Sequence, residues 1–220
     1  YSRLGTEVTV VEFFDKVLNG MDHDISKNFK SILQKQGFKF HLNSSVSMIT
    51  KEKKGVKVTF KQVDSHDQNE LSADVVLVAT GRKPFTKNLK LENIGVKLNP
   101  KGQIETDNNW RTTATNIFAL GDVTSGPMLA HKAEEEGIAV AEIIAGQAGH
   151  VNFQVIPSVV YTDPEVATVG KTENELKEEG KQIKVGKFSF MGNGRAKTVF
   201  SNSGFVKIIA DSKNDRILGA

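Results

Sequence analysis

The stretches TEVTVVE (Thr6–Glu12), DHDISKNFKSILQKQ (Asp22–Gln36) and FKFHL (Phe38–Leu42) decide the fold of the first part of this chain. The first reads as a strand that ends on an acid. The second sets Ile25, Phe29, Ile32 and Leu33 along one face of a helix, with Asp22 or Asp24 to cap its start. Gly37 ends the helix, and Phe38–Leu42 follows as a strand. Strand, helix and strand in this order form a βαβ unit, which places the chain in the α/β class.

Working outward, Val46–Ile49 and Val56–Val63 alternate like antiparallel strands, and the polar segment Asp64–Glu70 connects onward. Ala73–Thr80 (ADVVLVAT) is a continuous apolar run, the pattern of a strand covered on both faces, and Gly81 stops it. Pro84, Gly95, Pro100 and Gly102 punctuate an irregular block. Ile117–Leu120 reads as a short buried strand and Ala130–Ala145 as an amphipathic helix. Gly146–His150 is a small-residue linker, so a domain boundary is expected near residue 150. Beyond it the pattern becomes α+β. Strands are expected at Val159–Tyr161, Val166–Val169, Ile183–Phe190, Phe205–Ala210 and Ile217–Ala220. A helix is expected at Glu173–Glu179, where Thr172 and Glu175 make a capping box.

Composition fits a soluble globular protein: 38% of residues are apolar and 25% charged. No apolar run approaches the ~20 residues that span a bilayer. The net charge of +3 comes from basic residues interleaved with acids, as in Lys132–Glu136, and Lys51–Lys54 reads as a solvated hairpin rather than a nucleic-acid patch. The absence of cysteine excludes disulfides, thiolate metal sites and dithiol chemistry within these residues. The histidines at 23, 41, 66 and 150 make no metal pattern, so no metal site is expected. Trp110 reads as a packing residue.

Three segments carry candidate chemistry. Glu12 ends the first strand, where dinucleotide-binding βαβ units hold the adenosine ribose hydroxyls; taken alone, it reads rather as an exposed acid at a strand end. As a ribose ligand it argues for NAD, because it would repel a 2′-phosphate. Gly81 and Arg82 follow a strand, at a turn where glycine allows close backbone approach. Asp122 in ALGDV (119–123) precedes Met128-Leu129-Ala130-His131, which opens a helix, with Pro127 placed in its first turn. A carboxylate beside the positive end of a helix suits a polar anionic cofactor, and this pair points to a flavin. The same residues also fit a turn and a capped helix. His131 reads as a packing or capping residue rather than a base.

In order along the chain, these segments resemble the dihydrolipoamide dehydrogenase branch of the pyridine nucleotide–disulphide oxidoreductase family. VVE (10–12), ISKNF (25–29) and LQKQGF (33–38) resemble its NAD domain. ATGRKP (79–84), ALGDV (119–123) and GPMLAHKAEEEG (126–137) resemble its second flavin-binding stretch, and PSVVYTDPEVATVG (157–170) resembles the start of its dimer-interface domain. The resemblance implies a domain order of 1–81 (rest of the NAD domain), 82–150 (second FAD-binding, central segment) and 151–220 (start of the interface domain). It implies that Glu12, Val46 and Gly81 contact NAD, that Asp122 binds FAD, and that Met128, Leu129, Ala130 and His131 line the flavin through backbone groups. The family's redox cysteines, its NAD glycine turn and its catalytic His–Glu pair have no counterpart in these residues. No catalytic residue is therefore expected here, and the isolated segment is expected to be inactive. The implied activity is oxidation of dihydrolipoamide with hydride passed through FAD to NAD+. The implied partners are a second copy in a homodimer and the lipoyl domains of 2-oxo acid dehydrogenase complexes, with neither nucleic acid nor membrane. The implied location is the mitochondrial matrix, with a bacterial cytoplasm as alternative. A mercuric reductase or soluble transhydrogenase type, or a non-catalytic truncated piece, are the rival readings.

Overall fold

The computed structural model describes residues 1–65 and 67–220. The chain divides into two compact units, one formed by Tyr1–Val78 with Val159–Ala220 and the other by Ala79–Ser158.

The first unit opens with the predicted βαβ. Strand β1 (Thr9–Val11), helix α1 (His23–Lys35) and strand β2 (Lys39–His41) follow in order. β1 and β2 pair in parallel, with Val10 opposite Phe40. The Asp22 carboxylate caps α1 by accepting the Asp24 N–H at 3.0 Å. After α1, Gly37 takes φ 95°, a left-handed turn that an L side chain rarely adopts. Phe29 and Leu33 bury the apolar face of α1 against Val17, Phe38, Phe40, Val160 and Val166.

Next come β3 (Ser44–Lys51), β4 (Val56–Gln62) and β5 (Gln68–Ala73), an antiparallel sheet in that order. Residues 51–54 are exposed in the β3–β4 hairpin, as predicted. Strand β5 lies partly in the segment predicted as a polar connection. Its sequence, QNELSA, carries almost no apolar signal, and pairing with β4 makes it a strand. Ala73–Thr80 departs from expectation in the opposite sense. Only Ala73 is in a strand, and Val75, Leu77 and Val78 are 80%, 73% and 66% exposed. An apolar run becomes a buried strand only when neighbours bond its edges, and no described strand does so here.

The second unit holds helix α2 (Ala130–Ile144) and a set of short bridged loops. Leu98 bridges Ile104, Thr106 bridges Thr112, and Arg111 bridges Phe118. Val96, Ile104 and Ala119 form one apolar cluster. Trp110, Ala139, Val140 and Val151 form another, which gives Trp110 the packing role predicted for it. The expected strand Ile117–Leu120 is reduced to the single bridge at Phe118 and the Ala119 N–H bond to Trp110 O.

The first unit resumes with β6 (Ser158–Val160) and β7 (Val166–Thr168), which pair with each other. Helix α3 (Glu173–Glu178) carries the predicted capping box in full. β8 (Ile183–Ser189), the unpredicted short helix α4 (Gly194–Thr198), β9 (Phe205–Asp211) and β10 (Ile217–Gly219) complete the chain, with β9 central in an antiparallel sheet. One side chain joins three of these elements. Lys207 on β9, 7% exposed, donates to both Asp22 oxygens at 2.9 and 3.0 Å and to Asp24 at 3.2 Å. Its ammonium also lies 2.6 Å from Glu173 on α3. Burial alone would lower the Lys207 pKa, but Glu173, Asp22 and Asp24 together raise it above the usual lysine range. Burial pushes the Asp24 carboxyl up, and Lys207 and Lys187 outweigh it and hold it below its ordinary value. Glu173 is also held low, by Lys177 first and Lys207 second.

Candidate functional site

The strongest site candidate lies in the second unit, where a tight loop leads into α2. Gly121–Val123 forms a single 3-10 turn. Gly121 is buried at φ 74°, and a Cβ there would stand 3.2 Å from the Ala133 side chain, so glycine lets the loop lie against the helix. The Gly121 carbonyl accepts the Thr124 hydroxyl at 2.9 Å and the Thr124 N–H at 3.1 Å. Between these buried residues Asp122 is exposed. No hydrogen bond or ion pair among the described residues engages its carboxylate, so its full acceptor capacity faces outward.

Helix α2 begins at Ala130, after the six-residue loop 124–129. Its N-cap is Leu129, which has no side-chain acceptor, and no acid occupies its first turn. The first N–H groups of the helix therefore meet neither a capping side chain nor a neutralising carboxylate. Met128 and Leu129 lie ahead of the helix, Leu129 extended and its N–H bonded to Pro127 O at 3.1 Å, and Ala130 and His131 are the first two helical residues. Pro127, predicted in the first turn, lies two residues before the N-cap, in a tight turn where its carbonyl accepts the Leu129 N–H at 3.1 Å. His131 Nε2 sits 2.7 Å from Pro157 O. A carbonyl can only accept, so Nε2 carries the proton, and the ring ties the start of α2 to Pro157.

This donor and acceptor set fits a flavin nucleotide. The open helix end suits an electron-rich ring edge or phosphate, and the unengaged carboxylate suits a sugar-type hydroxyl. Asp122, Met128, Leu129, Ala130 and His131 thus fall on one loop and helix start.

The nucleotide candidates are more dispersed. Glu12 follows the last residue of β1, at the carboxyl end of a parallel pair, where open α/β sheets place ligands. It is half-buried, and Oε1 accepts the Phe14 N–H at 3.0 Å. Its backbone bonds His41 O and the Ser44 N–H, which ties it to the start of β3. Val46, 42% exposed, sits in β3 opposite Phe60, next to a register shift. Gly81 belongs to the second unit, and its φ of 101° demands glycine although the space around it is open. His66 lies outside the described residues. A cleft of about 410 Å³ between α1, β7 and β9, lined by Phe29, Pro164, Val166 and Phe205, contains none of these candidates.

Two residues beside the loop escaped the sequence reading. Lys132 and Glu136 look like interleaved surface charges, but they are 1% and 2% exposed and 2.8 Å apart. Glu136 Oε2 accepts the Gly121 N–H at 2.7 Å. Their i, i+4 spacing on the helix face that also carries Ala139 and Val140 was the available signal.

The model of the family described as "Pyridine nucleotide-disulphide oxidoreductase" matches residues 1–137. That of its "dimerisation domain" matches residues 156–220. Mitochondrial dihydrolipoyl dehydrogenase of Rattus norvegicus is 52% identical over 222 residues, which is 100% of this chain and 44% of the relative. Mitochondrial dihydrolipoyl dehydrogenase 1 of Arabidopsis thaliana is 49% identical over 219 residues, 100% of this chain and 43% of the relative. The chain thus spans less than half the length of these curated relatives. Among solved structures, the HOCl-induced flavoprotein disulfide reductase RclA of Escherichia coli superposes with a TM-score of 0.88. It is 32% identical, and the match covers 99% of this chain and 49% of that one.

Proposed function

This chain belongs to the pyridine nucleotide-disulphide oxidoreductase family, and we propose that it is the segment of a dihydrolipoamide dehydrogenase that supplies FAD and NAD contacts. The observation that carries the proposal is the exposed Asp122 carboxylate, unpartnered among the described residues, beside the uncapped start of α2. Identity of about half with dihydrolipoyl dehydrogenases along the whole chain supports the choice of branch.

In this reading Asp122 accepts hydrogen bonds from the ribitol–pyrophosphate region of FAD, and Met128, Leu129, Ala130 and His131 line the ring through backbone groups. With FAD bound, the unopposed start of α2 would favour negative charge on the group that it faces. When bound, FAD supplies the two-electron relay between a dithiol and NAD+. Glu12 orients the adenosine ribose and rejects a 2′-phosphate, with Val46 and Gly81 along the dinucleotide. Residues 151–220 begin the dimer interface, so the active form is a homodimer whose substrates are lipoyl groups on 2-oxo acid dehydrogenase complexes. The names of the relatives favour the mitochondrial matrix as its location, with a bacterial cytoplasm as alternative.

The test is a steady-state assay of the full-length protein. We expect dihydrolipoamide-dependent reduction of NAD+ and little use of NADP+. Strong preference for NADPH with another disulfide would contradict the proposal.

A further inference from the structure

The Lys132–Glu136 pair is an unusual expenditure. Two opposite charges are almost completely removed from water on one face of a helix. An apolar pair of similar size is commonly as stable or more stable at such a place. Stability alone therefore does not account for it, and the contacts show what else it does. Glu136 Oε2 takes the buried Gly121 N–H at 2.7 Å, immediately before Asp122. The Lys132 stem lies under Gly126, at the other end of the same loop, where an added Cβ would stand 2.9 Å from Lys132 Cε. Although Lys132 Nζ is 2.8 Å from Glu136 Oε1, it donates no aligned hydrogen bond among the described residues. Its role towards Glu136 is that of a counter-charge and a prop. The loop 121–126 is thus clamped to α2 at both ends, and Asp122 projects from between the clamps.

Resting on the flavin reading above, we propose that Lys132 and Glu136 are positioning residues of the cofactor site. Glu136 holds Gly121 so that the Asp122 carboxylate and the first N–H groups of α2 face one ligand together. Lys132 makes the buried carboxylate tolerable and sets the height of the loop at Gly126. An apolar residue at 136 packs the helix but cannot accept the Gly121 N–H, so the loop would drift and carry Asp122 with it. Displacement of a ligand-bearing group by a fraction of an ångström weakens every contact it makes.

The experiment uses the full-length flavoprotein and two double variants that remove the charges alike. K132M/E136Q keeps an acceptor at Gly121, and K132M/E136L removes it. A single E136D variant keeps both charges but shortens the reach to Gly121. FAD release on dilution, the visible circular dichroism of the bound flavin and thermal unfolding are read for each. K132M/E136L and E136D should release FAD about tenfold faster and alter the flavin dichroism, and K132M/E136Q should restore both towards wild type. Wild-type release and dichroism in E136D would overturn the proposal, even if K132M/E136L failed to fold. Equal behaviour of the two double variants would overturn it as well. A wild-type protein that purifies without FAD would instead sink the flavin reading itself, so the two failures are distinguishable.

Discussion

Among the described residues the Asp122 carboxylate is exposed and unbonded, whereas Gly121 and Thr124 beside it are buried and bonded to each other. A charged acceptor presented in this way costs little stability, so its replacement should affect a ligand and leave the fold alone. Asp122→Ala in the full-length protein should weaken FAD binding by about 10- to 150-fold, corresponding to the ~1.5–3 kcal/mol of hydrogen bonds to a charged group. Thermal unfolding of the apo form should stay within about 0.5 kcal/mol of wild type. Flavin fluorescence titration checks the first effect and calorimetry the second. Glu12→Ala should raise the KM for NADH about tenfold and leave the flavin content unchanged, as read by steady-state kinetics and flavin absorbance. These residues were candidates in the sequence because acids at strand ends and before helices can meet ligands. Lys132 and Glu136 were not, because a lysine and a glutamate four apart look the same whether they face water or the core. Only the packing of α2 around Ala139 and Val140 tells which.

At the scale of elements, Lys207 joins the start of α1, the start of α3 and the central strand β9. Lys207→Met should destabilise the protein by about 3–5 kcal/mol, because it leaves Asp22 and Glu173 without the cation they share; Asp24, more exposed, contributes little. Denaturant unfolding measures this. The pH dependence follows from the direction of each shift. Asp24 and Glu173 have lowered pKa values when folded, so their contribution is present above the unfolded carboxylate range of about 4 and lost as pH falls through their folded values. Lys207 is raised, so its contribution holds below about 10.4 and is lost only as pH climbs through its folded value. Stability from this cluster should stay flat between about pH 5 and 9 and decline below about pH 4, and Lys207→Met should flatten that acid decline. The elements that were legible carried their own punctuation: Asp22 and Gly37 bound α1, and Thr172 with Glu175 begins α3. Strand β5 and the run 73–80 were misjudged because strand identity depends on the partner. QNELSA has β4 to bond, and ADVVLVAT finds no partner strand among the described residues beyond Ala73.

At the scale of the whole molecule, the chain forms two compact units, and the family it belongs to has members more than twice its length. The nucleotide candidates Glu12 and Val46 fall in one unit, and the flavin candidates fall in the other. The 220-residue polypeptide by itself should retain little FAD and show no lipoamide-dependent turnover, checked by flavin absorbance after purification. Its exposed Val75, Leu77 and Val78 should bind an apolar dye that the full-length protein binds weakly. The central claim is that Asp122 and the start of α2 hold a flavin nucleotide. A crystal structure of the full-length protein with its native cofactor tests it most directly. The account predicts FAD with a hydroxyl or phosphate-linked oxygen of its ribitol–pyrophosphate region within about 3 Å of the Asp122 carboxylate, and the ring edge facing the first N–H groups of α2. FAD bound elsewhere, or this pocket filled by side chains, would contradict it.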